Sequence, residues 1–271
     1  MGITIRSAAF IGSAILGALL GPLLGTGAAS AADMPLKAAP AAISPAYDWS
    51  GFYGGINGGG EWQRHDWAFH PPIPGAVNQS WSANTQGADI GFHVGLQKQW
   101  GQFVLGVEGG ANTFVDTPFA RHFGYGVSFD TFADTRLESI YTAGARAGYA
   151  WENWLFYGTG GWATGYVSTR QIIIRTGVEE FASRTSARQD GWYVGAGFEY
   201  MAFKGQVADV ILGVDYKHID LGTGFHCNNI GISCAGVDPG SAIDVRTTSD
   251  VVTARLSFKF NPWQIPVVAK Y

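Results

Sequence analysis

Past its first thirty residues the chain has no uninterrupted apolar run near the ~20 residues a helix needs to span a bilayer. Any membrane crossing there falls to strands. Charge is scarce as well: only 14% of residues are charged, which is atypical of a soluble enzyme. A net charge of -4 leaves no basic stripe, and no DNA-reading motif appears, so nucleic acid is not expected as a partner. Cysteine is almost missing. The two present, Cys227 and Cys234, sit close together in a polar segment. In an exported chain a local disulfide is the first expectation, with two unpaired thiols as the alternative. Only His226 lies near them, without a second ligand pair, so zinc is not expected, and neither is any other cofactor.

What the chain does have is glycine (39 residues) and aromatics (14%), a composition that suits a membrane β-barrel. Its start reads as a secretory signal over residues 1–31. Arg6 supplies the positive end, Phe10 to Leu24 the apolar stretch and Ala29-Ser30-Ala31 the small-residue site, with cleavage between Ala31 and Ala32. Gly12, Gly17, Gly21, Pro22 and Gly25 break up the apolar stretch, which argues against a spanning helix. Residues 32–48, rich in alanine and proline, read as a flexible or extended periplasmic leader.

From Trp49 onward the dominant signal is period-two alternation. Between Gly87 and Gly110 it is at its clearest. Ile90, Phe92, Val94 and Leu96 oppose Asp89, Gly91, His93 and Gly95; after a reversal at Trp100-Gly101-Gln102, Phe103, Leu105 and Val107 oppose Gly106, Glu108 and Gly110. Glycine is poor strand filler, so a wet face spaced by glycine suggests a crowded inner wall. The same pattern predicts strands near Trp49, over Thr135–Ala150, Trp154–Ser168, Gly191–Met201 and Val207–Leu221, and up to Phe260. That makes eight. Long polar connections are expected over 63–84, 113–133, 170–189 and through the cysteine segment, alternating with short turns. Long outer loops, short periplasmic turns and an even strand number describe an antiparallel up-and-down outer-membrane barrel over 49–260, with a tail at 261–271. Trp49, Trp100, Phe103, Tyr149, Trp151 and Trp154 near the short turns fit an interfacial girdle. Alternation by itself leaves a soluble barrel or sandwich open, with the oily face inward.

Residue motifs add a resemblance. Trp49-Ser50-Gly51-Phe52-Tyr53, Arg146-Ala147-Gly148-Tyr149-Ala150, Tyr157-Gly158-Thr159-Gly160-Gly161 and Gly195-Ala196-Gly197-Phe198-Glu199-Tyr200 resemble strands of the small opacity-protein-like outer-membrane barrels of Gram-negative bacteria, often labelled the porin family. Asp215-Tyr216-Lys217 and the ending Val267-Val268-Ala269-Lys270-Tyr271 are similar to that family too. The resemblance implies an outer-membrane address and a barrel fold, and it says little of activity.

On this alternation the lumen receives Asp89, Glu108, Glu138, Glu199 and Asp215 with Arg146, Lys217, Arg255 and Lys259, and also His93. Eight strands leave an interior just wide enough for side chains to fill, and charges shut away from water need partners. An internal ion-pair network that plugs the barrel follows, and with it a structural, envelope-surface role. The alternatives are a small porin-like channel and a loop receptor for haem or adhesion. For the latter, His65, His70, His122 and His226 fall in predicted outer loops among Trp62, Trp67, Phe69, Trp81 and Phe123, without fixed ligand spacing. No enzyme is expected: His218, at the outer end of its strand and facing lipid, has no serine at a recognisable spacing. Gly158-x-Gly160-x-x-Ala163 lacks the helix a dinucleotide fingerprint requires. The expected partners are outer-membrane lipid, the assembly machinery reading the alternating apolar residues that end at Phe260, and host or surface ligands at the loops.

Overall fold

A computed structural model describes residues 47–70, 80–115, 118, 120–123, 130–175, 178–227 and 242–260. The expected signal with its Ala31/Ala32 cleavage, most of the leader, Cys234 and the tail lie outside these residues. Of Cys227 only the backbone is described, as the last residue of its strand.

The strands are β1 (Gly51–His70), β2 (Ser80–Trp100), β3 (Phe103–Val115), the short β4 (Ala120–Phe123), β5 (Asp130–Trp151), β6 (Trp154–Arg175), β7 (Val178–Phe203), β8 (Asp209–Cys227) and β9 (Ala242–Phe260). Every pairing is antiparallel. The pairing of β1 with β9, and of β3 with β5, closes eight long strands into a ring, while β4 adds only to β5. At the expected short turns, Gly101 (φ 60°) and Glu152 (φ 52°) take the left-handed conformation that lets two residues reverse the chain. Glycine does this freely at Gly101, whereas Glu152 bears the strain of a Cβ there.

Register fixes the shape. From Trp62 the partners run through Asp250, His218, Val194, Gly160, Ala145, Val107 and Leu96, and the circuit returns to β1 at Phe52, ten residues away. Eight strands with that stagger tilt by roughly 40° at ~3.3 Å per residue and ~4.8 Å between strands. The axial distance from Phe52 to Trp62 is then about 25 Å, the height of an outward apolar band.

Exposure settles which face looks out. Phe52, Ile56, Ile90, Phe92, Val94, Phe103, Leu105, Val107, Val194, Leu212 and Phe258 are exposed, whereas Asp89, Glu108, Arg146, Glu199, Asp215 and Arg255 are buried. The inside-in alternative of a soluble barrel is thereby excluded. Inner-wall glycines make room for tyrosines: a Cβ on Gly197 would sit 2.7 Å from the Tyr157 hydroxyl, and one on Gly144 would sit 2.5 Å from that of Tyr193.

Two expectations need correction. Polar segments expected as loops are largely strand: β1 continues to His70 and β2 begins at Ser80, while β6 and β7 approach to Arg175 and Val178. Above the membrane both faces of a strand are wet, so the hydrophobic period fades although the ladder continues. Second, a register shift between Leu137 and Ser139 makes Glu138 the extra residue and turns Leu137 into the interior, where it is fully buried. A bulge re-aims every side chain beyond it.

Candidate functional site

The interior is the natural place to look for function, and it is built in layers. The inward row of β1 (Tyr53, Asn57, Glu61, Gln63, His65, Trp67) samples each of them in turn, because one strand face crosses the full height of the tube.

At the periplasmic mouth, Tyr47, Trp49, Val104, Ala150, Leu155, Tyr157 and Ile211 pack as one cluster. The segment before β1 is tied in here. Tyr47 donates to Asp209 at 2.6 Å, the Trp49 amide donates to the Gln99 side chain at 2.7 Å, and Gln97 donates to the Trp49 carbonyl at 2.8 Å. Lys259 donates to the carbonyls of Asp48 at 2.5 Å and Ser50 at 3.3 Å, lies 3.6 Å from Asp209 and sits over the Tyr47 ring. Lys259 is therefore an anchor for the mouth, separate from the larger charge cluster.

That cluster lies next. Arg255 donates to Glu108 at 2.7 and 3.0 Å and to Asp215 at 2.8 Å, with Glu199 3.6 Å from its Nε. Arg146 donates to Glu199 at 2.6 Å, to the Tyr53 hydroxyl at 3.0 Å and to Glu108 at 3.4 Å. Tyr53 in turn donates to Glu108 at 2.9 Å. Lys217 lies 3.1 Å from Asp215 and 3.9 Å from Glu108, and Thr253 donates to Asp215. The guanidinium of Arg146 stacks 3.8 Å above the Tyr157 ring, a contact that planar, weakly hydrated arginine makes readily. Three acids face three bases here, so the cluster is neutral as a whole. Asp89 stands slightly apart and takes its bonds from amides, Asn112 at 2.8 and 2.9 Å and Asn57 at 3.3 Å. His93 reaches Ser257 at 2.8 Å. Glu138 does not join: the bulge leaves it one-third exposed, paired with Arg136 at 3.1 Å. A void of about 20 Å³, bordered by Asp89, Asn112, Lys217, Ile140 and Val251, has room for about one water.

Above it Leu137, Ile140, Ala163, Val167, Tyr193, Ile219, Leu221 and Val251 form a second apolar layer, with Phe114 packed against it. Its members come from β3, β5, β6, β7, β8 and β9. Then follows a neutral polar layer. His65 bonds Thr247 and the Gln63 side-chain oxygen Oε1 at 3.1 Å each; His226 bonds Thr169 at 3.2 Å and the Gln189 side-chain amide at 3.1 Å. Both imidazoles are fully buried, which corrects their expected place in outer loops. Burial pushes His226 down to about 4, with Asp244 opposing weakly. The side chains of His70 and His122 lie outside the described residues. Trp67, Ile243 and Val245 with Trp81 cap the stack.

Two inward groups escaped the sequence reading. Buried Glu61 accepts from Gln63 at 2.6 Å; the odd-numbered inward row from Tyr53 to Asn57 extrapolates to it. Asp209, the partner of Tyr47 and Lys259, precedes an obvious alternation and gave no such signal. Outside the tube, His218 pairs with Asp250 at 2.8 Å and Tyr216 donates to the same carboxylate at 2.6 Å.

Among solved structures, the chain is similar to Ail, the attachment invasion locus protein of Yersinia pestis (12% identity, 77% of this chain and 99% of that one, TM-score 0.33). It is also similar to the outer membrane protease OmpT from Escherichia coli (10% identity, 78% and 97%, TM-score 0.42) and to Neisserial surface protein A (14% identity, 78% and 98%, TM-score 0.23). No curated protein matches it. An outward apolar band, a polar interior and eight antiparallel strands closed in one ring are the marks of an outer-membrane barrel, and the outer membrane protein beta-barrel domain matches residues 22–260; the chain belongs to that family and resides in the bacterial outer membrane.

Proposed function

We propose that this barrel is a non-catalytic envelope protein whose lumen is filled and does not conduct, and whose projecting strands and loops present a surface outside the cell. The stacking of layers carries the reading. A neutral charge cluster lies between two apolar layers, and the void bordering it admits about one water. An ion crossing that path would shed its hydration against leucine, valine and isoleucine, which is far costlier than passage along a wet, charge-lined pore. The test is single-channel recording of the refolded barrel in planar bilayers. Silence, or rare small flickers, is expected; large steady currents overturn the proposal in favour of a channel.

Haem capture draws no support from His65 and His226, whose ring nitrogens are already bonded inside the wall. The same reading holds that residues 1–31 are removed on export and that the outward row of β9, from Val252 to Phe260, is what the assembly machinery reads.

A further inference from the structure

The outward face changes abruptly above the row of Trp62, Trp162 and Trp192. Each step between hydrogen-bonded strands shifts axial height by about 3 Å at this tilt, and each residue by about 2.5 Å. With those steps Arg64 on β1, Arg246 on β9 and Arg188 on β7 reach one level, roughly 5–7 Å beyond Trp62. Three arginines at one height, just outside the aromatic row, stand where lipid headgroups begin. At the same level β2 and β3 carry Asn84, Gln86 and Val115.

Each arginine is held but not saturated. Arg64 meets Asp66 at 3.1 and 3.2 Å through Nε and Ser82 at 3.1 Å through Nη2. Arg246 uses Nη2 on Asp220 at 2.6 Å. Arg188 uses Nη2 on Asp190 at 3.0 Å and Nε on Thr164 at 2.9 Å. All three side chains stay more than half exposed, and in none does Nη1 donate to an acceptor among the described residues. With their arginines this exposed, these ion pairs add little to the fold. What the carboxylates do is hold the guanidinium groups at this height, with donors to spare. Arg188 also lies 5.7 Å above the Trp162 ring, which joins the charged level to the aromatic one beneath it.

The geometry points to a binding arc on β7, β9 and β1 for the phosphate headgroup of an outer-leaflet lipid, with Arg64, Arg188 and Arg246 donating to phosphate oxygens and the acyl chains lying against the tryptophan row. Planar guanidinium forks suit phosphate. The neighbouring aspartates cancel any long-range pull on a free anion, so the acyl chains must bring the phosphate to this height. The inference rests on the outer-membrane assignment and is independent of whether the lumen conducts.

The test uses the full barrel refolded in detergent, with native mass spectrometry counting bound lipid. Three probes are titrated: diphosphorylated lipid A, its dephosphorylated form and inorganic phosphate. Expected is binding of the phosphorylated lipid at least tenfold tighter than the dephosphorylated one, and none of inorganic phosphate at millimolar concentration. The triple variant R64Q/R188Q/R246Q should lose that preference, and the control K98Q, at an exposed position on the opposite, periplasmic end of β2, should keep it. Equal binding of the two lipids, or a preference that survives the triple change, overturns the arc; equal binding of inorganic phosphate overturns the lipid as its source. The comparison of the two lipids on the unmutated protein stands even if the triple variant does not fold.

Discussion

The section of the tube inside the membrane and the section above it solve the same filling problem with different chemistry. At membrane depth the interior holds full charges: Glu108, Glu199 and Asp215 are matched three against three with Arg146, Arg255 and Lys217, and Asp89 beside them is held by the amides of Asn57 and Asn112. Above the outer aromatic row it holds mainly uncharged hydrogen-bonding groups, His65, Gln63, His226, Gln189, Thr169 and Thr247, with the Glu61 carboxylate at their base. Charges placed between hydrocarbon walls interact strongly and must be complete as a set. Neutral groups tolerate partial satisfaction, but they must stay neutral. The lower section is thus vulnerable to losing a partner, and the upper one to gaining a proton.

Replacing Arg255 with leucine strikes the lower section hardest. It strands Glu108 and Asp215 together, and breaking one side of such a buried set costs about 3–5 kcal/mol. A matching drop in the urea midpoint of the refolded barrel is expected. Acid strikes the upper section. His226 titrates near 4 in the folded chain and near 6.5 once unfolded. Between those values the unfolded chain binds the extra proton, so stability is full above pH 6.5 and falls as pH drops toward 4, by about 3 kcal/mol at most. Urea midpoints measured from pH 7.5 to 4 should show this slope, and His226→Gln should make it shallower.

Gly197→Ala sharpens the contrast between the two walls. Its Cβ meets Asp215 and the Tyr157 hydroxyl at 2.7–2.8 Å, so overpacking of roughly 1–3 kcal/mol is expected. Outward Gly58, whose nearest neighbour is 3.5 Å away, should accept alanine almost silently. The smallest effect is Arg64→Gln, which changes the unfolding free energy in detergent by less than about 0.5 kcal/mol. A shift above 1 kcal/mol would mean that the outer arc supports the fold directly.

Much of this contrast was legible in the residues themselves. Wherever one wall faces hydrocarbon, alternation is sharp, and it assigned Glu108, Arg146, Glu199, Asp215, Lys217 and Arg255 to the interior; those six meet in one cluster. Past the membrane the pattern lost its contrast, since Arg64 and Asp66 outside are as polar as Gln63 and His65 inside. Strand ends were misplaced there by several residues, and His65 and His226 were assigned to loops. The bulge that diverts Glu138 leaves no mark in composition, because it depends on how β5 meets β6. Layering was equally hidden: Leu137, Ile219 and Val251 become neighbours only through the ten-residue stagger of the ring.

Lys259 belongs to the final strand, yet it grips Asp48 and Ser50 ahead of the first. Zipping the seam and stoppering the inner mouth are therefore one event, reached only when the carboxyl-terminal strand docks. A nascent barrel short of that strand has an open edge and an open base together, and both vanish in the same step.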